Sequence, residues 1–236
     1  MLFALTAQRP RMKDTRAGWT RACYLVCYAV PFSLAYVQLR VGTGALLLFG
    51  GVQLTMILLG LGAGERPGAL AWLSLLGAAG GVVYLVYPGV TAPDPLAALL
   101  MIVAGVSWGF YSIAGKSAGD PAVATADAFR RAAAIVVPVT ALAYPYLSLT
   151  PRGALLAVLS GALASGCGYV AWYSALCCLS ATDAALVQLA VPALTAAGGV
   201  VFLSEAVSVR LAVASAAILG SIAIGVAAKR GAARVG

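Results

Sequence analysis

The sequence predicts an all-α protein, a polytopic bundle of transmembrane helices, and three observations favour this fold class. First, 62% of the 236 residues are hydrophobic and only 9% are charged, with a mean hydropathy of +0.99. A soluble domain carries about a quarter charged residues, so this chain has too little polar surface to cover a globule in water. Second, its apolar runs match the roughly 20 residues that a helix needs to cross a bilayer. Third, the connections between these runs are too short to hold a soluble domain.

Eight apolar runs are separated by polar residues, glycine and proline. Labelled A to H, they cover residues 20–39, 43–61, 68–87, 95–115, 125–147, 153–176, 183–203 and 208–228. The strands of a membrane barrel are shorter and alternate in hydrophobicity, which these runs do not. We therefore predict eight helices, preceded by a basic segment over residues 1–19 and followed by a tail over residues 231–236.

The basic residues predict the orientation, because Lys and Arg concentrate in the cytoplasmic loops of membrane proteins. With the N-terminus inside, twelve of the fifteen basic residues fall on the cytoplasmic side, and only Arg40, Arg152 and Arg210 fall outside. We expect both termini in the cytoplasm. The excess of Arg over Lys and the abundance of Ala and Gly are typical of a GC-rich bacterial genome, which favours a multi-pass protein of a bacterial plasma membrane. The net charge of +8 is spread over short loops, so no nucleic-acid surface is expected.

An internal repeat relates runs A to C to runs F to H. The pairs Gly64-Glu65 and Ser204-Glu205 end runs B and G, and other features recur in the same order about 140 residues apart. Because run A leads outward and run F leads inward, the repeats are inverted, an arrangement typical of transporters. We predict a partial first repeat of three helices over residues 20–94 and a complete second repeat of five helices over residues 95–230.

Three sequence motifs carry a family resemblance. They are Trp172-Tyr173-Ser174-Ala175-Leu176, the stretch from Ala181-Thr182-Asp183 to Val191-Pro192, and the stretch from Gly198-Gly199 to Ser204-Glu205. The chain resembles the EamA-type transporters of the drug/metabolite transporter superfamily, which usually have two inverted five-helix repeats. The resemblance covers about eight of those ten helices and implies that two N-terminal helices are absent. It implies a permease or exporter of a small organic metabolite. The alternative is a truncated, non-transporting membrane protein or an interaction partner.

Run G holds the first candidate site. Pro192 has no N–H and its ring crowds the carbonyl of Gln188, so a free carbonyl and a side-chain amide are expected at one level of the membrane. Polar groups at such depth need a partner or a water-lined cavity. Gln188 and Pro192 are therefore either contacts along a substrate path or part of an interhelical hydrogen bond. Gln53 is the counterpart in run B.

Aromatic residues supply the other candidates. Trp108 and Tyr111 lie on one face of run D with Gly105, and Tyr173 lies near Tyr169 and Trp172 on run F. Their rings could stack on an organic solute, although an interfacial aromatic belt is the favoured interpretation. The pairs Gly77/Gly81 and Gly105/Gly109 predict close helix packing.

The remaining residues point away from an enzyme. The chain has no histidine, no carboxylate near the centre of a run and no metal-binding spacing, so we expect no catalytic residues, cofactor or metal. The five cysteines are interpreted as small packing residues, and Arg130 and Arg131 as interfacial anchors. Glu65 and Glu205 are assigned to helix ends, and Asp183 to a helix cap. The expected partners are the lipid bilayer and a small-molecule solute, and a homodimer is left open.

Overall fold

The computed structural model describes residues 15–64, 69–87, 92–142, 150–179 and 208–232, together with scattered positions between 181 and 204. All regular structure in this part of the chain is helical. The helices are α1 (Thr15–Ala35), α2 (Val41–Gly62), α3 (Ala69–Val86), α4 (Pro95–Lys116), α5 (Pro121–Leu142), α6 (Pro151–Val158), α7 (Gly166–Leu176) and α8 (Val209–Ala232). A π-helical segment, Leu159–Ser165, joins α6 to α7 without a break.

The predicted fold class is confirmed. Runs B, C, D, F and H agree with the helices within a few residues, whereas α1 begins and ends earlier than run A, and α5 begins earlier than run E. Run G lies largely outside the described residues, although positions such as Ala184 and Ala185 are helical. The partition into two inverted repeats stays a prediction.

Side-chain caps explain where several helices begin. Asp120 accepts hydrogen bonds at one carboxylate oxygen from the backbone N–H groups of Ala122 and Val123, both at 2.9 Å. Pro121 follows as the first residue of α5, where a missing N–H costs nothing. This cap starts α5 ahead of run E, because the cap acts on the backbone whereas the run was defined by hydropathy alone. Asp94, Thr150 and Ser208 cap α4, α6 and α8 in the same way.

Long apolar helices with exposed apolar side chains show that the protein is built for a bilayer. Among the residues that the structure describes, three segments are long and apolar enough to cross a membrane: Val41–Gly62, Pro95–Lys116 and Pro151–Leu176. Large apolar side chains are exposed on other helices too, including Leu76 on α3 and Leu142 on α5. A soluble monomer rarely exposes so much apolar surface. Lipid is the solvent that this surface fits.

The chain divides into two compact units. Unit 1 contains residues 1–26 and 111–178, and unit 2 contains residues 27–110 and 179–236. The boundaries therefore fall inside α1 and α4. Unit 2 has a buried apolar core to which the end of α1, α2, α4 and α8 contribute, with Leu46, Leu47, Met101 and Ile218 among its most buried members.

Glycines allow the helices of unit 2 to pack closely, as the sequence predicted. A Cβ at Gly105 would overlap the Leu48 carbonyl oxygen, and one at Gly109 would lie 2.8 Å from the Thr55 Cβ. These two glycines thus set the separation of α4 from α2. On α3, a Cβ at Gly81 would lie 2.6 Å from Cγ1 of Ile218 on α8. Without a hydrophobic drive between helices in lipid, such close van der Waals contact is a main source of association.

Gly105→Ala is expected to destabilise the protein by about 1–3 kcal/mol, because the new methyl group overlaps the backbone of α2. The matched control is Gly80→Ala on α3, where a Cβ would meet nothing within 4 Å. That control should stabilise by about 0.5–1 kcal/mol through helix propensity. Thermal unfolding of both variants in detergent micelles checks the prediction, and equal effects would contradict it.

Candidate functional site

Four side chains of unit 2 make hydrogen bonds that join α2 and α4 to Ala185 and Gln188, and we name them the amide cluster: Gln53, Met56, Trp108 and Gln188. The two glutamines are nearly inaccessible, with Gln53 1% and Gln188 5% exposed. Buried side-chain amides need hydrogen-bond partners, since an unsatisfied polar group costs about 1–3 kcal/mol. The hydrogen bonds of this cluster therefore constrain the packing of the helices that carry it.

Each amide in the cluster reaches across to another segment of the chain. The Trp108 indole N–H donates to Oε1 of Gln188 at 2.7 Å. Nε2 of Gln188 donates to the Met56 sulfur at 3.4 Å, and Nε2 of Gln53 donates to the backbone carbonyl of Ala185. Two of the sequence-predicted site residues, Trp108 and Gln188, are thus in direct contact, and a third, Gln53, bonds to the backbone three residues before Gln188.

The local sequence explains this arrangement. Gln53 and Met56 are three residues apart and project from the same side of α2. The glycines of α4 let Trp108 approach that side, and the Trp108 ring also packs 4.9 Å from the Tyr28 ring on α1. The Trp108 indole therefore takes part in a specific hydrogen bond within the protein. A residue of an interfacial aromatic belt does not need such a bond.

One expectation about Gln188 is wrong. Its backbone carbonyl is not free, because the N–H of Val191 donates to it at 3.1 Å in a tight turn. The missing N–H of Pro192 is therefore offset by a donor one residue earlier. Pro192 itself lies outside the described residues, so its predicted role stays a prediction. The polar group that Gln188 contributes is its side-chain amide.

The other two predicted site residues, Tyr111 and Tyr173, meet in unit 1. Their rings stack with centroids 5.0 Å apart, and the Tyr173 hydroxyl donates to the Tyr111 backbone carbonyl at 3.1 Å. Tyr169 packs against Tyr111 on the same side. Both rings of the stacked pair are almost fully buried, which is not the position of a belt residue facing lipid headgroups. The belt interpretation is wrong for this pair.

A buried ion pair in unit 1 was missed by the sequence analysis. Nε of Arg131 donates to both carboxylate oxygens of Asp127 at 2.9 Å, and Arg130 donates to the same carboxylate at 3.0 Å. The side chains of Asp127 and Arg131 are 8% and 6% exposed, whereas that of Arg130 is 69% exposed. The interfacial anchor predicted for Arg131 is wrong, because its side chain is buried, whereas the anchor role of the exposed Arg130 stays a prediction.

Helix α1 covers this ion pair. A Cβ at Gly18 would lie 2.7 Å from an Asp127 carboxylate oxygen, so only glycine admits the pair. The Arg131 guanidinium also lies 5.1 Å from the centre of the Trp19 ring, within the range of a cation–π contact. The local signal was readable in the sequence, since Asp and Arg four residues apart on a helix face each other. The burial of Asp127 and Arg131 depends on the position of α1, and the sequence pattern did not predict it.

The structure says less about the other residues to which the sequence assigned roles. Glu65, Glu205 and Asp183 lie outside the described residues, and their roles stay predictions. All five cysteines are exposed and unpaired with one another, so the expectation that they fill internal packing space is wrong. In the described part of the chain, no three His, Cys, Asp or Glu side chains converge.

Gln188→Leu is expected to lower the free energy of unfolding by about 1–3 kcal/mol, since the buried Trp108 N–H then has no acceptor. Trp108→Phe in the same background should restore part of that loss, because both polar partners are gone. Gln38→Leu, in an exposed turn, is the control. A double-mutant cycle by thermal unfolding checks the prediction, and strictly additive effects would rule out the hydrogen bond.

Asp127→Asn is expected to cost about 3–5 kcal/mol, because it leaves the buried Arg131 guanidinium without a counter-charge. The matched control is Asp120→Asn, which keeps a good helix cap on the same helix. Unfolding in micelles should separate the two variants clearly. Equal stability would mean that the ion pair contributes nothing.

Known proteins resemble this chain in sequence and in fold. Residues 95–226 match the EamA-like transporter family. The chain is 48% identical over 232 residues to an uncharacterized protein of Pseudomonas aeruginosa, a match covering 98% of this chain and 81% of that protein. A solved crystal structure superposes with a TM-score of 0.63 at 21% identity, covering 95% of this chain and 81% of the other, and shows the fold alone. The match over more than half of its length and the close relative show that the chain belongs to the EamA-like transporter family, a family of membrane transporters.

Proposed function

We propose that the protein is a secondary transporter, a permease or exporter, that carries a small organic metabolite past the amide cluster. Family membership makes it a membrane transporter of the drug/metabolite type. The proposal goes further by naming the class of solute and the residues along its path. The observation that supports this proposal most directly is that the amide cluster contains residues of both predicted repeats.

Gln53 and Met56 belong to the predicted first repeat, and Trp108 and Gln188 belong to the predicted second repeat. In transporters built from inverted repeats, the substrate site lies near the membrane midplane at the repeat interface. Alternating access moves one repeat against the other around that site. Hydrogen bonds that join the two repeats are then the contacts that must break and reform in each cycle.

The Gln188 amide suits such exchange. Its donor is held by a thioether sulfur at 3.4 Å, and sulfur is a weak acceptor. A carbonyl or hydroxyl oxygen of a solute offers a stronger acceptor at the same place. Replacing the sulfur contact by a solute contact therefore costs the protein little, and the freed Met56 side chain can adapt to the shape of the solute.

The chemistry of the cluster indicates the kind of solute. Its members are amides, an indole and a thioether, and Tyr28 adds a second aromatic ring. Amides supply both donors and acceptors, while the rings cover apolar parts of a ligand. Neither the four side chains of the cluster nor that of Tyr28 carries a permanent charge. This site is therefore suited to the uncharged portion of an organic molecule. The ion pair of unit 1 is a separate feature.

We also propose that the protein resides in a bacterial plasma membrane with both termini in the cytoplasm. The support is the distribution of Lys and Arg between alternate loops. Terminal fusions to a reporter that matures only in the cytoplasm test this orientation. Activity of such a reporter at both ends is expected, and activity at one end alone would contradict it.

The transport proposal predicts flux by the purified chain in proteoliposomes. A panel of labelled organic metabolites should include one whose uptake saturates and is accelerated by unlabelled solute inside. Gln188→Asn and Gln53→Asn retain the amide but move it by one methylene, and should reduce that flux by about tenfold or more, as misplacement by about 1 Å does elsewhere.

Gln38→Asn controls for reconstitution, since this glutamine is exposed outside the helices. Flux that is unchanged in both cluster variants would remove the amide cluster from the path. Absence of flux for every solute, with folded protein confirmed in the vesicles, would favour a non-transporting membrane protein instead.

A further inference from the structure

The buried ion pair of unit 1 is contained within one helix. Arg130 and Arg131, which both donate to Asp127, stand three and four residues after it on α5. Among the described residues, the Asp127 carboxylate accepts hydrogen bonds from these two arginines and from no residue of α1. The pair therefore does not tie α5 to the helix that covers it.

A glycine and an aromatic ring make the contact between α1 and the pair. A Cβ at Gly18 would lie 2.7 Å from Oδ2 of Asp127 and 2.8 Å from Nε of Arg131. The Trp19 ring centre lies 5.1 Å from the guanidinium carbon of Arg131. In the part of the chain that the structure describes, separating α1 from the pair breaks van der Waals contact and one cation–π contact, but no hydrogen bond.

Covering the pair costs it hydration. Buried charges lose their contact with water, and a cover that offers no hydrogen bond returns little of that loss. When uncovered, Asp127 and Arg131 keep their bond to each other and regain water. The charges therefore favour separation of α1 from α5, whereas close packing at Gly18 favours contact. A conflict of this kind between a local group and its packing is typical of functional sites.

Arg130 shows where water reaches the pair. Its side chain is 69% exposed, yet it donates to the same carboxylate at 3.0 Å. The buried Asp127 is thus one hydrogen bond away from the surface of the protein. Hydration of the pair on this side needs movement of α1 alone, because both arginines belong to α5 with Asp127.

We propose that the first turns of α1 are a movable cover over the Asp127–Arg131 pair, and that hydration of the pair drives this cover open. With α1 on α5, Gly18 seals the pair from water. With α1 lifted, the ion pair and Trp19 line an aqueous opening on the side where Arg130 reaches the surface. The two positions differ by opposed contributions, so the equilibrium between them responds to small changes.

Such a cover is suited to a transporter. α1 is the first helix of the predicted first repeat, and α5 belongs to the predicted second repeat, so alternating access would break the contact at Gly18. This use of the cover rests on the proposed function. The movement itself does not, because a distance between α1 and α5 reports it without any flux.

The test uses the full-length protein with its five cysteines replaced by alanine, reconstituted in phospholipid nanodiscs. Spin labels are attached at Thr20→Cys and Ala133→Cys, exposed positions of α1 and α5, and double electron–electron resonance gives their distances. We expect two populations, the shorter of which matches the covered arrangement. Labels at Ala133→Cys and Arg152→Cys, which leave α1 unlabelled, are the control pair, and their distance should stay the same in every variant.

Two substitutions should shift the populations in opposite directions. Gly18→Ala prevents close covering and should raise the ratio of uncovered to covered protein by about tenfold. Asp127→Leu combined with Arg131→Met replaces the charges by apolar groups of similar size and should lower that ratio by about tenfold or more. Gly168→Ala, on α7 of the same unit, is the matched control, since a Cβ there meets nothing within 4 Å.

The apolar double variant keeps the packing volume, so it still tests the proposal if Gly18→Ala does not fold. One distance that neither variant changes would overturn the proposal, because α1 would then be fixed on α5. An uncovered fraction that rises when the ion pair is removed would also overturn it, since the charges would then hold α1 in place.

Discussion

The close approach of α4 to α2 is the packing contact that lies beside the amide cluster of unit 2. Gly105 and Gly109 bring the backbone of α4 against Leu48 and Thr55, closer than any residue with a Cβ would allow. Beside this contact, Met56 and Trp108 both form hydrogen bonds with Gln188, and Gln53 donates to the backbone carbonyl of Ala185. Because lipid offers no hydrogen bonds, the amides must find their partners within the protein. The close packing that the glycines allow therefore brings the side chains of the amide cluster within hydrogen-bonding distance of their partners.

In unit 1, glycines likewise leave room for large groups on neighbouring helices. Gly18 faces the Asp127–Arg131 ion pair, and Gly115 faces the Tyr173 ring so closely that a Cβ would overlap it. In each case the absence of a side chain on one helix creates space for a bulky polar or aromatic group on another. Small residues at helix contacts are common in membrane proteins, where they replace the hydrophobic drive of water-soluble cores. Here they also decide which polar groups become buried.

Hydropathy and spacing predicted most of the helices but only part of the site. Runs of about 20 apolar residues locate helices well because the bilayer fixes their length. Gln53, Trp108 and Gln188 stood out individually as polar or aromatic groups, yet the bond between Trp108 and Gln188 joins positions 80 residues apart. Asp127 and Arg131 show the opposite case, since their spacing predicts the pair but not its burial under Gly18. Sequence patterns report local geometry, whereas burial depends on which helices become neighbours.

Water access to position 188 is the most direct test of a substrate path at the amide cluster. In a variant whose five cysteines are replaced by alanine, Gln188→Cys is treated with a membrane-impermeant thiol reagent in sealed vesicles of either orientation. Leu142→Cys, at a side chain 83% exposed on the apolar surface, is the lipid-facing control. We predict that the thiol introduced at position 188 reacts from at least one side, that a transported solute slows the reaction, and that the control thiol stays unreactive. A thiol at position 188 that reacts from neither side, in a variant whose melting temperature shows that it is folded, would contradict a path at the amide cluster.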